Sequence, residues 1–316
     1  MSPTTIFTPV SSPARWVFDL SLLVGAICAA IFLVVFGLLV YSVIKFRKKA
    51  HDDGFEPPQV YGSRQIELAW TIIPVLIVMV LFLASARVIY AAQEHHFGPN
   101  TLDVYVVGHQ FWWEYRYPGL GVVTANELHV PASSSSDPTE TRLHLRSADT
   151  VHSFWVPKLS GKVDLIPNSP NVVWFDPAQP GLYLGQCAQY CGVQHAMMLL
   201  RVYVEPKEQF LRWVERQKQR AQPSPSVAAG RELFERSACR SCHTIDGTAA
   251  DGRFGPDLTH LMSRDTLGAG IVQNDRQNLR KWIEDPSSLK PYSLMPAMGF
   301  SGPEFDAVTD YLTTLR

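Results

Sequence analysis

The chain has 316 residues, of which 46% are hydrophobic and 18% are charged, a composition that excludes a disordered or fibrous protein. Its 28 lysines and arginines against 29 aspartates and glutamates give a formal net charge of −1, so no basic field is available to hold a nucleic acid. At roughly 150 residues per domain, the length predicts two or three domains.

Two uncharged stretches near the N-terminus, residues 22–43 and 68–86, have lengths suited to a membrane. At a rise of about 1.5 Å per residue they reach about 33 and 28 Å, close to the thickness of the hydrocarbon core of a bilayer. We therefore predict a leader and a transmembrane helical hairpin over residues 1–92. A cleaved signal peptide is the alternative for the first stretch, although its apolar core is usually shorter.

A basic cluster between the two stretches predicts their orientation. Its members are Lys45, Arg47, Lys48 and Lys49. Because positive charge is retained on the cytoplasmic side, we expect the connecting loop in the cytoplasm and both termini outside the cell membrane. Everything after about residue 90 is then extracytoplasmic.

The sequence changes in character after residue 101, where short runs rich in valine and aromatic residues alternate with turn residues. This pattern predicts an antiparallel β-sandwich over residues 93–220. Proline and serine at residues 221–227 indicate a linker. Residues 228–316 lack the strand pattern and predict a small all-α domain, whose last helix begins after Ser301.

The densest cluster of metal-binding residue types is CAQYCGVQHAMM, residues 187–198. It contains two thiols, an imidazole and a thioether, which are soft ligands suited to copper: Cys187, Cys191, His195 and Met198. Two thiols exceed the need of a mononuclear site but suit a pair of copper ions that both thiols bridge. A disulfide leaves the histidine and the methionine unexplained, and zinc is poorly served by a thioether.

A copper pair requires a second imidazole. His152 is the leading candidate, because the apolar residues around it in SADTVHSFWVP predict a buried strand or strand end. His109 and His144 are the competing candidates. An ordinary core histidine is the alternative for His152 itself.

A second site is predicted at CRSCH, residues 239–243, which is the attachment pattern for c-type haem. In this pattern Cys239 and Cys242 form thioethers and His243 binds the iron. A redox disulfide or half of a zinc site is the alternative.

The sequence resembles subunit II of haem-copper cytochrome c oxidases, in the caa-type form that carries a fused C-terminal cytochrome c domain. Five segments carry the resemblance: ELAWTIIP (67–74), GHQFWWEYRYP (108–118), VHSFWVP (151–157), KVDLIP (162–167) and PGLYLGQCAQYCGVQHAMM (180–198). It implies a multidomain membrane protein with a two-helix hairpin, an all-β cupredoxin-like sandwich and an all-α cytochrome c domain.

Carried over residue by residue, the resemblance implies a binuclear copper centre, CuA. Cys187 and Cys191 would bridge two copper ions, with His152 and His195 as terminal ligands. Met198 and the backbone carbonyl of residue 189 would be the weak ligands. Most relatives have a glutamate at this position that also helps bind magnesium against subunit I. This chain has Gln189, which lacks the carboxylate, so the resemblance does not decide whether the chain binds magnesium.

The resemblance also bears on the electron path. Phe111 stands where many relatives place the tryptophan that receives electrons from soluble cytochrome c. The adjacent Trp112 and Trp113 are the candidates to replace it. Alternatively, electrons arrive from the fused cytochrome c domain.

Similarity to cytochromes c implies Met295 as the second axial ligand of the haem iron, in preference to Met262 or Met298. In the same way the Pro256 carbonyl would accept the ring proton of His243. Ligation by histidine and methionine leaves no open position on the iron, which predicts an electron carrier.

The loop that carries this methionine departs from the cytochrome c pattern. Tyr292 and Ser293 replace the more usual glycine and asparagine.

Glu67 opens the second apolar stretch. In relatives, the glutamate of this segment lies at the mouth of a proton pathway into subunit I. The alternative is an ordinary carboxylate that interacts with the dipole at a helix N-terminus.

The implied function is electron entry into a terminal oxidase of the bacterial inner membrane. Electrons from cytochrome c or a cytochrome bc complex would pass through haem c and CuA to subunit I, where oxygen is reduced with proton translocation. The implied partners are subunit I, the other oxidase subunits and the lipid bilayer, with the CuA and haem domains periplasmic. A CuA-containing nitric oxide reductase and a copper-delivery protein are the alternatives.

Overall fold

We describe the chain from a computed structural model, for residues 4–48, 54, 58–59, 61–93, 97–222 and 224–316. Within these residues the chain divides into two compact units. One unit lies within residues 15–96, and the other comprises the first 14 residues together with residues 97–316.

The smaller unit consists of two long apolar helices, α1 (Ser12–Lys45) and α2 (Arg64–Gln93). By length and composition both are able to cross a membrane. Helix α1 begins at Ser12, earlier than the apolar stretch predicts, because polar residues ahead of the stretch continue the helix. Lys49 of the predicted basic cluster lies outside the described residues.

Residues 4–14, which include the start of α1, belong to the second unit and are hydrogen-bonded to it. The Val10 N–H donates to the Lys158 carbonyl at 3.0 Å. The Ser12 N–H donates to the Asp176 carboxylate at 2.7 Å and so satisfies one of the free donors at the helix start.

The second unit begins with a β-sandwich of two five-stranded sheets. The strands of the first sheet are β1 (Leu102–His109), β2 (Trp112–Tyr117), β3 (Val122–Ala125), β5 (Thr141–Ser147) and β8 (Asn171–Phe175). Those of the second are β4 (Glu127–Pro131), β6 (His152–Trp155), β7 (Val163–Leu165), β9 (Gly181–Cys187) and β10 (Leu199–Glu205). The spatial orders are β3-β2-β1-β5-β8 and β4-β10-β9-β6-β7.

Alternating residues on these strands form the core between the sheets. On β2, for example, Trp113, Tyr115 and Tyr117 are buried while the residues between them point outward. Helix α3 (Lys207–Gln217) follows β10 and adds Phe210 and Trp213 to the same core.

The prediction of a purely antiparallel sandwich is wrong at two strand pairs. β1 pairs with β5 in parallel, and β4 pairs with β10 in parallel. Between β1 and β5 the chain forms the β2–β3 hairpin and then crosses to the other sheet as β4, so β5 returns in the direction of β1. Alternation of apolar residues reports which face of a strand is buried and carries no information on strand direction.

The C-terminal region is helical, with α4 (Ala228–Arg236), α5 (Cys239–Cys242), α6 (Arg276–Glu284), α7 (Pro286–Leu289) and α8 (Gly302–Leu312). Ser301 caps α8 as predicted, and its N–H donates to Glu304 at 2.7 Å. Helices α4 and α8 cross closely at Gly230, where a Cβ would lie 2.0 Å from the Ala307 carbonyl oxygen.

The all-α prediction misses a small hairpin of strands β11 (Thr266–Leu267) and β12 (Val272–Gln273). Each strand has two residues, too few for a period-two pattern to register. Glycines in left-handed conformation, Gly268 and Gly270, make the turn between them.

Candidate metal centre and adjoining cavity

The loop of residues 187–198 joins β9 to β10 at one end of the sandwich. Its two ends meet, because the Cys187 N–H donates to the Met198 carbonyl at 2.9 Å. Inside the loop, Gly192 has a φ of +135°, and a Cβ there would lie 2.9 Å from the Phe111 ring. The loop is therefore a closed turn whose sharpest point requires glycine.

Within this closed turn two thiols face each other and each lies near a different imidazole. The Sγ atoms of Cys187 and Cys191 are 3.9 Å apart. Cys187 Sγ is 4.0 Å from His152 Nδ1, and Cys191 Sγ is 3.8 Å from His195 Nδ1. A disulfide requires about 2.05 Å between the sulfurs, so both thiols are free.

The two candidate weak ligands belong to the same loop. The carbonyl oxygen of Gln189 is 3.2 Å from Cys187 Sγ, while the Gln189 residue itself is exposed. Met198 is fully buried at the end of the loop. The side chain at residue 189 offers an amide and no carboxylate toward a magnesium ion.

His152 begins β6 and is fully buried, as predicted for a residue at a strand end. Asp149 Oδ1 lies 2.7 Å from its Nε2, which leaves Nδ1 facing Cys187. Gly108 on the opposite sheet makes room for the ring, since a Cβ there would lie 2.8 Å from His152 Cδ2. The competing histidines are engaged elsewhere, His109 with Glu114 at 3.0 Å and His144 with Asp103 at 2.7 Å.

Electrostatics favour ionised groups around this histidine. Burial opposes ionisation of Asp149, but hydrogen bonds from His152, Thr150 and Gln110 outweigh it and lower the pKa of Asp149. The Cys191 thiol, His152 and nearby backbone groups stabilise the Cys187 thiolate and lower the pKa of Cys187. The same thiolate raises the pKa of Cys191.

The two predicted tryptophans occupy different positions. Trp112 stacks on His109 with ring centroids 4.2 Å apart and faces the cavity described below. Trp113 is fully buried and lies edge-on to His152, with centroids 6.0 Å apart. Gln110, just before them, donates from Nε2 to the Cys191 carbonyl at 2.6 Å.

In the helical region, the CRSCH segment forms the short helix α5 and its exit. His243 Nδ1 lies 2.7 Å from the Pro256 carbonyl oxygen. This contact fixes the ring and does not involve Nε2. Gly255 lies flat against the ring, since a Cβ there would be 2.5 Å from His243 Cε1. Burial lowers the pKa of His243.

A cavity of about 230 Å³ opens beside this histidine. Cys239, Cys242, His243 and Met295 all line it, and most of its remaining wall is apolar. Met262 and Met298 pack against the core of the helical region and do not line the cavity. Two thiols, one oriented imidazole and a thioether around an apolar space fit the donor set of a covalently attached haem.

The loop that carries Met295 departs from the usual pattern where the sequence indicates. Tyr292 adopts a φ of +63°, in the left-handed region that favours glycine. Tyr292 thus stands at a position whose backbone conformation suits the more usual glycine.

Glu67 lies in the first turn of α2. Its backbone carbonyl accepts from the Thr71 hydroxyl at 2.8 Å. This position agrees with both interpretations of the residue, as a helix N-terminal carboxylate and as a proton-entry group.

Several residues around the site were missed by sequence reasoning. For Asp149 the sequence does contain a clue to its contact with His152, because this carboxylate lies three positions before the histidine. Glu127, Gln194 and Lys290 have no such signal, because their contacts join segments that are far apart in the chain.

Comparison with known families covers most of the chain. Residues 6–88 match the family described as cytochrome C oxidase subunit II, transmembrane domain, and residues 102–204 match its periplasmic domain. Residues 227–316 match the cytochrome c family.

Two relatives align with nearly the whole chain. The cytochrome c oxidase subunit 2 of Alkalihalophilus pseudofirmus is 32% identical over 99% of this chain and 91% of its own length. That of Bacillus subtilis is 30% identical over 98% of this chain and 90% of its own. A solved periplasmic domain of subunit II from Bradyrhizobium japonicum is 30% identical and covers 37% of this chain and 93% of its own, with a TM-score of 0.35.

Proposed function

Because the chain belongs to the cytochrome c oxidase subunit II family, part of a haem-copper oxidase, we propose that it is the subunit through which electrons enter. The family implies copper in the periplasmic domain and haem c in the cytochrome c domain. The observation that carries the proposal is the cavity lined by Cys239, Cys242 and His243, which also reaches Gln110 and Phe111 beside the thiol loop.

In the sandwich, we propose that the chain holds two copper ions. Cys187 and Cys191 bridge them, His152 and His195 bind one each, and the weak ligands are Met198 and the Gln189 carbonyl. The facing thiols, each with its own imidazole, support this assignment. The soft donor set favours copper over the hard cations.

In the helical region, we propose that Cys239 and Cys242 attach a haem and that His243 and Met295 bind its iron. The Pro256 carbonyl orients the imidazole and raises its basicity. When bound, the haem and the copper pair each supply a one-electron carrier. The mostly apolar cavity wall would limit the contact of a bound haem with water, which would favour a higher reduction potential.

We propose that electrons arrive at the helical region from cytochrome c or a cytochrome bc complex and leave the sandwich for subunit I, which reduces oxygen with proton translocation. Trp112 lines the cavity and the adjacent Trp113 lies edge-on to His152, which makes them candidates for the path. Glu67 is the candidate for proton entry. We propose that the two apolar helices anchor the chain in the bacterial inner membrane, with its termini and both outer domains in the periplasm; their length and composition support a membrane anchor.

The copper assignment is tested by electron paramagnetic resonance of the full-length chain, purified in detergent and loaded with copper. We expect a hyperfine pattern from one unpaired electron shared by two equivalent copper ions. Cys191→Ser should abolish that pattern, and Cys28→Ser, which changes a thiol within α1, should leave it intact. A single-copper spectrum from the unaltered chain would reject the binuclear assignment.

A further inference from the structure

The helical region contacts the sandwich through a buried carboxylate. Glu127 at the start of β4 is 2% exposed. Its oxygens accept from the Asp265 and Thr266 backbone N–H groups at 3.0 and 2.9 Å, and from the Thr266 hydroxyl at 2.9 Å. Arg201 balances the charge at 3.7 Å. A sandwich residue is thus fully hydrogen-bonded by the helical region.

A buried ammonium group makes the reverse contact. Lys290 of the helical region is 3% exposed, and its Nζ donates to the Phe111 carbonyl of the sandwich and to the Gly268 carbonyl, each at 2.9 Å. Burial lowers the pKa of Lys290 to about 7. The ammonium group has given up water for two fixed carbonyl partners.

Both candidate redox loops take part in this interface. Gln194, next to His195, donates from Nε2 to the Pro291 carbonyl at 2.6 Å. Pro291 lies four residues before Met295. Phe111, which accepts from Lys290, packs on Gly192 of the thiol loop.

The contacts continue to the linker and along β10. The Leu199 N–H donates to the Ala269 carbonyl at 3.2 Å, and His260 Nε2 lies 3.1 Å from the Gln217 carbonyl at the end of α3. The Ala221 N–H donates to the Asp246 carbonyl at 3.2 Å. The start of the linker is therefore hydrogen-bonded to the helical region.

Buried charges of this kind specify a position. A docked arrangement that covered Glu127 and Lys290 without these partners would leave both groups buried and unpaired, which is strongly unfavourable. When the two domains separate, both groups regain water. The charges thus discriminate against wrong arrangements more than they add affinity.

We propose that Glu127 and Lys290 are positioning residues that hold the helical region in one arrangement on the sandwich, and that Gln194 links the thiol loop to the methionine loop there. The docking part of this proposal stands on the contacts alone. Its consequence, fast electron transfer between the two loops, rests on the proposed function.

The test uses the full-length chain, loaded with haem and copper, and the double variant Glu127→Gln/Lys290→Met. Hydrogen–deuterium exchange at residues 265–267 reports docking, because two of these amides donate to Glu127. Transfer from haem to copper after photoreduction of the haem reports function. The haem absorption and copper resonance spectra verify that both centres are intact.

If the proposal holds, exchange at residues 265–267 rises about tenfold or more while exchange in α8 is unchanged. Transfer from haem to copper slows by about tenfold or more, because the loops are no longer held together. The matched controls are Glu208→Gln in α3 and Lys281→Met in α6, both exposed, and these should change neither measurement.

Exchange that stays at the level of the unaltered chain would overturn the docking proposal. Increased exchange with an unchanged transfer rate would overturn the positioning role. If the unaltered chain shows no transfer at all, the proposed function fails while the exchange measurement still decides the docking. The single variants Glu127→Gln and Lys290→Met guard against misfolding. Glu127 lies far in sequence from the haem segment and Lys290 lies outside the sandwich, so each single variant leaves one of the two domains unaltered.

Discussion

The thiol loop and the haem cavity are organised in different ways. At the thiol loop, the protein's own hydrogen bonds fix the geometry: the loop ends are joined, Asp149 orients His152, and Gln110 holds the Cys191 carbonyl. Around the cavity, the described side chains leave an apolar space, and one ring, that of His243, is fixed by a hydrogen bond. Hydrogen bonds within the protein thus hold the side chains of the first site, whereas the second is mainly an apolar space.

The largest expected difference between the two sites concerns the stability of the helical region when no haem is attached. In a variant with Cys239→Ala and Cys242→Ala, haem attachment is lost and the cavity of about 230 Å³ is left unfilled. We expect the helical region to lose about 5 kcal/mol of stability, since unfilled apolar space costs roughly 24 cal/mol per Å³. Scanning calorimetry should show its transition lowered, with the sandwich transition retained.

Cys28→Ala serves as the control for that experiment, since it removes a thiol from α1. An unchanged transition of the helical region in the haem-free chain would mean that this region folds without its cofactor. The contrast between the two sites would then be lost.

Orientation of His152 by Asp149 predicts the next largest effect. Asp149→Asn removes the carboxylate that fixes the ring, and loss of such a partner lowers metal affinity by about 10–100-fold. Competition titration of copper measures the change. Asp164→Asn, on the neighbouring strand β7, is the control. Equal affinities for the two variants would show that the hydrogen bond does not prepare the ligand.

The sharp point of the thiol loop is open to a similar test. Gly192→Ala places a Cβ 2.9 Å from the Phe111 ring in a left-handed conformation, and we expect a loss of about 1–2 kcal/mol. Thermal unfolding of the sandwich measures the loss. Gly119→Ala meets no atom within 4 Å and should be neutral. A neutral result at Gly192 would indicate a loop that adjusts freely.

The smallest effect is expected at the methionine loop. Tyr292→Gly relieves a left-handed conformation that costs about 1 kcal/mol or more for a bulky residue, offset in part by the greater freedom of glycine when unfolded. We expect a net gain of about 0.5 kcal/mol in thermal unfolding of the helical region. Tyr292→Asn should fall between the two. A loss on substitution by glycine would mean that the tyrosine ring itself stabilises the loop.

The sequence was sufficient for the parts of the fold that depend on local chemistry. Spacing within residues 187–198 predicted a cluster of soft ligands, and apolar neighbours predicted a buried His152, which the structure places beside Cys187. The carbonyl of Pro256 lies at His243 as the resemblance implied. The ligand roles themselves stay predictions.

Contacts between segments that are far apart in the chain could not be predicted from the sequence. The parallel pairing of β1 with β5 depends on where the chain crosses between sheets. Lys290 belongs to a residue type that is rarely buried, and only its distant partner at Phe111 explains its position. No local pattern encodes such a meeting of two domains.

The pairing of β6 with β9 also determines when in folding the residues of the thiol loop and His152 can meet. Phe154 pairs with Cys187, so His152 reaches the thiol loop only after two strands some thirty residues apart have joined. Such non-local pairing forms late relative to hairpins and helices. The side chains of His152 and Cys187 are therefore brought together only by a sheet contact between separate segments, so a variant that weakens the β6–β9 pairing should separate them even when both residues are unchanged.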